Sequence, residues 1–287
     1  MTELYIDGTS VVLPADFSTS VKRENPFFTK NGEYTYDITL QLSNSINADL
    51  YAHLNRLNSI SELKTKRQAV LVADNRVYCN GTEIITGWTD STVSIQIASG
   101  NSELNSFIGN DLLVSSLDMG EDEIPTGIIN NLVKRIYPDV DYCIPPVMTD
   151  KGVINGWRVA VTVVTTSKPT ISANYLRETG VDIYLQPYLC AYIRKLMKAL
   201  GYTVLTNQLE DSEWNLLYLP QNGHPNQYAK MFPGWTINEL ITEFESFFNL
   251  CFLVNNRKKE VSILFRAEYF KNAQVCHVQQ VVDEYET

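Results

Sequence analysis

The chain has 287 residues, of which 44% are hydrophobic and 20% charged. That composition fits a folded globular protein with room for one large domain or two ordinary ones. A formal net charge of -10 argues against a nucleic-acid binder that works by neutralising phosphates.

Five cysteines, Cys79, Cys143, Cys190, Cys251 and Cys276, are scattered and odd in number, which fits neither a disulfide framework nor a zinc knuckle. The N-terminal residues show no basic and apolar segments of a secretory signal. No run approaches the roughly 18 to 20 apolar residues of a membrane helix. Synthesis in a reducing cytosol and no membrane partner are therefore expected. Sixteen Tyr, eleven Phe and four Trp point to β-rich architecture or large interfaces, with most rings in the core.

The first half reads as strands joined by tight turns. Leu4 to Ile6, Asp7-Gly8 and Val11 to Leu13 form a short hairpin. Phe17 to Lys22 and Tyr34 to Leu42 are further strands, the second alternating apolar and polar positions. Asn47 to Asn58 is a brief helix with Leu50, Leu54 and Leu57 on one side. Strands follow at Ala69 to Ala73, Arg76 to Cys79, Thr82 to Trp88 and Thr92 to Ala98, with Asn80-Gly81 as a hairpin signal. Ser102 to Ile108 reads as a short helix and Leu112 to Leu117 as a closing strand. Together these predict a small barrel or a strongly curved sheet over residues 1–118.

Gly120 to Glu123 (GEDE) marks the expected boundary to an α+β domain over residues 119–287. Thr126 to Tyr137 is amphipathic, Asn155-Gly156 predicts a hairpin, Arg158 to Thr165 a strand, and Ser167 to Pro169 a loop. Pro187 to Leu200 is a second helix, with Pro187 in its first turn and Gly201 as its left-handed cap. Tyr202 to Leu205 continues as a strand. Thr236 and Glu239 then form a capping box, with Trp235 and Leu240 at the staple positions. Ile237, Leu240, Ile241, Phe244, Phe247 and Phe248 recur at helical spacing. Asn249 ends that helix, Leu250 to Val254 is a buried strand, Asn255 to Lys259 a charged turn, and Glu260 to Phe265 the returning strand.

Little in this sequence is chemical. His53, His224 and His277 are isolated, without a ligand spacing of the HExxH kind. The acidic groups are Glu121, Asp122 and Glu123, then Asp139 and Asp141, then Glu210, Asp211 and Glu213. They lack the spacing of a calcium loop. No phosphate loop and no G-x-S-x-G elbow is present. The basic groups Lys64, Lys66 and Arg67, and Arg257, Lys258 and Lys259, fall at turns or strand starts where solvated charge is ordinary filler. The reading assigns no catalytic, cofactor-binding or metal residue, no cofactor and no enzymatic activity.

Two segments carry a family resemblance. The capped helix and hairpin over MFPGWTINELITEFESFFNLCFLVNNRKKEVSILF (231–265) resemble the helix–hairpin unit of phage baseplate hub proteins, including those of Mu-like and T4-like phages. KRENPFF (22–28) followed by GEYTYDITLQL (32–42) is similar to the opening of tail proteins in prophages of gut Bacteroidetes. The resemblance implies barrel-like tube domains decorated by amphipathic helices. It implies a virion protein assembled in the host bacterial cytoplasm. A homotrimeric ring then joins tail tube to tail tip, contacts other tail and baseplate proteins, and passes DNA without binding it specifically.

The net charge predicts an acidic channel lining. A hub of a contractile injection system, a carbohydrate-binding or adhesive module, and a tail-associated hydrolase are the alternatives. The strand-like run Val275 to Val282 stands just before Tyr285-Glu286-Thr287, and the intact gene product is expected to continue.

Overall fold

The computed structural model describes residues 2–54, 56, 66–124, 129–150, 152–164, 170–177, 179–221 and 226–271. The chain is β-rich α+β, with mostly antiparallel sheets and, among the described residues, no closed barrel. The first half supplies β1 (Thr2–Ile6), β2 (Thr9–Val11), β3 (Val21–Arg23), α1 (Pro26–Thr29), β4 (Glu33–Thr35), β5 (Ile38–Gln41) and α2 (Ser45–Leu50). It continues with β6 (Gln68–Ala73), β7 (Arg76–Trp88) and β8 (Thr92–Ser99). These strands make one sheet in the order β2-β1-β6-β7-β8-β4-β3, with β5 also paired to β8. The sheet ends at β2 and β3, so among the described residues it is an open sheet and not the closed barrel. Leu4, Ile6, Ile38, Leu40, Leu71 and Ile95 pack on one of its faces.

Three local expectations give way here. Asn80-Gly81 is not a hairpin turn, because β7 runs straight through it. The turn into β7 is Asp74-Asn75, both at positive φ of 51° and 59°, the geometry that favours such residues. Gly81 is instead a close approach: a Cβ there would meet the Ala98 carbonyl oxygen at 2.0 Å. The Tyr34 to Leu42 strand breaks in two at Tyr36-Asp37, so the buried positions shift from Thr35 to Ile38 and Leu40. Asp37 holds this break by accepting from Thr86 Oγ1 at 3.1 Å and Gln96 Nε2 at 3.0 Å. Of the Phe17 to Lys22 strand only the end survives, shifted to β3.

The second half is built from α3 (Asn101–Ile108), α4 (Asn130–Lys134), β9 (Tyr142–Cys143), β10 (Val147–Thr149), β11 (Gly152–Ile154), β12 (Trp157–Val164), β13 (Thr170–Arg177) and β14 (Gln186–Pro187). It then runs α5 (Leu189–Ala199), β15 (Thr203–Asn207), α6 (Ile237–Phe248), β16 (Leu250–Asn255), β17 (Glu260–Phe265) and α7 (Arg266–Lys271). α5 and α6 cover a three-stranded sheet of order β15-β17-β16, in which β15 is parallel to β17. The two helix–strand units therefore share one sheet and one core, with Tyr192, Ile193, Leu196, Leu240, Phe244 and Phe252 inside it.

Leu104, Ile108 and Val114 belong to that same core, so α3 and the turn after it pack with the second half. The expected Leu112 to Leu117 strand is a 3-10 turn, Val114–Ser116. It is tied to the start of α6 by Val114 N donating to the Trp235 carbonyl at 3.0 Å and Ile237 N to the Leu112 carbonyl at 2.9 Å.

The α6 unit follows its sequence closely. Thr236 Oγ1 accepts from Glu239 N at 3.2 Å while Glu239 Oε2 accepts from Thr236 N at 2.9 Å, and Asn249 takes the left-handed φ of 53°. Phe247 departs from the expected buried face and is 75% exposed. Glu245 is buried in the helix's last turn, 3.1 Å from Lys30 Nζ. Pro187 lies in β14 and not in the first turn of α5, but Gly201 has the expected positive φ. Asn155-Gly156 does not turn a hairpin. Asn155 is a buried link whose Oδ1 accepts from Tyr184 N at 2.7 Å.

Side chains also tie together residues far apart in the chain. Asn101 Oδ1 accepts from Val254 N at 3.0 Å and its amide donates to the Phe252 carbonyl, so one side chain satisfies the free edge of β16. Phe27 stacks on Tyr269 at 3.8 Å between ring centroids.

Candidate functional site: an apolar hairpin and a basic cleft

The residues that chemistry made suspect are spread over separate structural networks. Asp122 and Asp141, from two different acidic groups, meet at Lys195 on α5, at 3.8 Å and 3.0 Å. Asp122 also accepts the Tyr228 hydroxyl, and Lys195 lies 4.4 Å from the centre of that ring. Burial, then Asp122, pushes the Tyr228 phenol up.

Next to this, Glu210 receives both Arg194 Nε at 2.7 Å and Nη2 at 2.6 Å, and the Tyr137 hydroxyl at 2.7 Å. Burial works against ionisation of Glu210, but the hydrogen bonds from Arg194 and Tyr137 outweigh it and hold the carboxyl below its ordinary range. Asp139, Asp211, Glu121, Glu123 and Glu213 stay outside these two networks; Glu121 accepts from Gln227 at 3.2 Å.

His53 sits 3.3 Å from Asp49 on a surface turn. Cys79 and Cys190 are free thiols that burial pushes up to about 12, and Cys143 and Cys251 are raised to about 11 for the same reason. Such thiols are poor nucleophiles at neutral pH. His224, His277, Cys276, Lys64, the Ser167 to Pro169 loop and the Val275 to Val282 run lie outside the described residues. So does the start of the expected Thr126 to Tyr137 helix, of which α4 is the described part. Among the described residues no group of three His, Cys, Asp or Glu is placed to hold a metal ion, and no helix is long and apolar enough to cross a membrane.

Two other surfaces stand out. β12 and β13 form a two-stranded sheet of eight residues a side, about 26 Å long at ~3.3 Å per residue. Its base is covered: Trp157 and Tyr175 meet edge to face at 5.1 Å and pack against Ile129, Ile144, Ile183 and Leu185. Beyond the base the same face of β12 carries Val159, Val161 and Val163, which are 47%, 61% and 56% exposed. Val159 pairs with Tyr175 and Val161 with Ala173.

Charge occurs only at the base, in Arg158 and Arg177. The lysines, prolines and bulges that blunt free strand edges are lacking from both strands. The sequence reading found β12 but missed β13. Its signal was the alternation in TISANYLR, which the preceding loop residues obscured.

The second surface is a cleft of about 360 Å³ where the first sheet meets the β16–β17 turn. Lys66, Arg67 and Asn80 line one wall, Glu103 on α3 another, and Asn256, Arg257 and Lys259 the turn side. The two basic groups that looked like unrelated turn filler are thereby brought to one place. Arg67 is spent internally: its Nε is 2.6 Å from Glu83 Oε2, and Tyr51 donates to the same carboxylate at 2.5 Å. Lys259 pairs with buried Glu103 at 2.9 Å. Lys66 lies 3.4 Å above the centre of the Phe107 ring, and its pKa is lowered mainly by loss of solvent.

No protein-family model matches this chain, and no curated protein or solved structure does either.

Proposed function

We propose that the chain is a structural tail protein of a phage or prophage, a baseplate hub-like subunit that closes a ring between tail tube and tail tip. The β12–β13 hairpin carries this reading. An apolar sheet face that is covered at its base and bare along its length costs solubility in a monomer, and natural proteins keep such edges only where something covers them. A second copy of the same chain is the proposed cover. In a head-to-tail ring each hairpin lies against its neighbour, and a closed rotation leaves no apolar face over. The engagement of Asp122, Asp141 and Glu210 in ion pairs with Lys195 and Arg194 supports an assembly role over catalysis. The resemblance of residues 231–265 and 22–42 to hub and tail proteins adds the place in the virion and the homotrimeric state.

Sedimentation velocity at rising concentration tests this reading. The intact chain is expected to pass from monomer to one closed species, and Val161→Asp to remain monomeric. A twofold dimer, or association untouched by Val161→Asp, contradicts it.

A further inference from the structure

Resting on the ring proposed above, we infer that the valine face of the β12–β13 hairpin docks on an aromatic ledge of the next copy, formed by Phe247 and Phe248 at the end of α6 and by Trp214. A head-to-tail ring needs two different patches, since each subunit offers one and receives on the other. The hairpin is the offering side. Its two strands, ~4.8 Å apart and about 26 Å long, present a face of roughly 250 Å². A stable contact buries about 800 Å² on each partner. Hairpin against hairpin falls well short of that, whereas hairpin against the body of a neighbour brings further surface with it.

The ledge lies on the outside of the α5–α6 core. Phe248 packs partly against that core, and the Phe247 and Trp214 rings meet its ring edge to face, at 4.8 Å and 5.8 Å between centroids. Phe247 and Trp214 stay exposed, as does Leu216. The hairpin stands instead on the separate Ile129 cluster, so the two patches belong to different cores of one chain. Aromatic rings are enriched as interface anchors and pair favourably with β-branched side chains.

Charge supports the same match. Lys134, exposed at the end of α4, has its Nζ 5.7 Å from the centre of the Tyr175 ring, and Tyr175 pairs with Val159 on the valine face. A cation therefore stands at the base of that face. On the ledge, Glu243 is exposed one helical turn before Phe247, and exposed Glu213 directly precedes Trp214. Opposite charges beside two apolar patches favour this partner surface and fix its register.

Sedimentation velocity of variants and of their mixtures tests the match. Phe247→Lys is expected to weaken association at least about thirtyfold, as the loss of an aromatic anchor does. Mixed one to one with Val161→Asp at high concentration, it is expected to form a heterodimer and nothing larger. One intact hairpin then meets one intact ledge, and the other two patches are disabled. Lys134→Glu and Glu243→Lys are each expected to weaken association about tenfold, and the chain carrying both to recover most of it, because opposite charges face each other again.

Circular dichroism checks that each variant is folded. Lysine near the C-terminal end of α6 suits the helix dipole, and the charge reversals decide the matter if Phe247→Lys does not fold. Assembly that Val161→Asp abolishes and Phe247→Lys leaves intact overturns the ledge and spares the ring. A mixture of the two variants that stays monomeric, or a double charge reversal no better than the single ones, also overturns the pairing of these two patches. An unaltered chain that stays monomeric at every concentration, or that associates equally well as Val161→Asp, overturns the ring and the ledge together.

Discussion

The α6–β16–β17 unit and the β12–β13 hairpin are both antiparallel strand pairs next to a helix, yet they solve the same problem in opposite ways. In the first, β16 is buried by α6 on its face, by β17 at one edge and by the Asn101 side chain at the other. In the second, α4 and the small Ile129 cluster cover only the base, and three valines continue into solvent. The apolar content is similar, so hydrophobicity alone does not separate them. What differs is whether the described residues of the chain cover the apolar face. The first unit holds the fold, and the second is the part that the proposed ring would cover.

The sharpest way to break this contrast is in the core of the first unit. Phe244 is 8% exposed and packed among α5, α6 and their sheet, so Phe244→Ala should cost roughly 3–5 kcal/mol in urea denaturation. A loss under about 1 kcal/mol would show that this face is not core. The cap on α6 is a smaller lever. Thr236→Ala removes one half of the capping box and should cost about 1 kcal/mol, read as a shift of the same unfolding midpoint.

Acid titration gives a weaker effect again. Because Arg194 and Tyr137 hold Glu210 below the ordinary carboxylate range, its contribution is complete above that range and is lost as pH falls through the folded value. The group is partly solvated, so the contribution is under about 1 kcal/mol. Glu210→Gln should therefore flatten the loss of stability as pH falls through and below the ordinary carboxylate range, and an unchanged pH profile would show that the pair contributes nothing. Val161→Asp should do least to the isolated fold, within about 0.5 kcal/mol, while removing self-association. A large loss of stability there would mean that the hairpin is core after all.

How much of this was legible in the sequence varied with the range of the interactions. The α6 unit was readable because its signals are local: a cap three residues from its partner, an apolar stripe at helical spacing, and an asparagine free to turn left-handed. Gly81 misled because Asn-Gly between two strand-like runs signals a hairpin turn, whereas its real constraint is the Ala98 carbonyl on a neighbouring strand. The basic cleft was invisible for the same reason: Lys66 and Arg257 are far apart in the chain and meet only once the two halves dock. Phe247 keeps the helical spacing but points out of the core, since the stripe is wider than the surface it covers. The acidic groups near 122 and 141 could not be joined until α5 placed Lys195 between them.

The most direct test of the assembly account is electron cryomicroscopy of intact tails with this chain fitted into the density. Three copies are expected around the tube axis, the β12–β13 hairpin of each lying against its neighbour with Val161 covered, and acidic side chains facing the channel. Density that places the chain away from the axis, or leaves the valine face bare in the assembled particle, would contradict it.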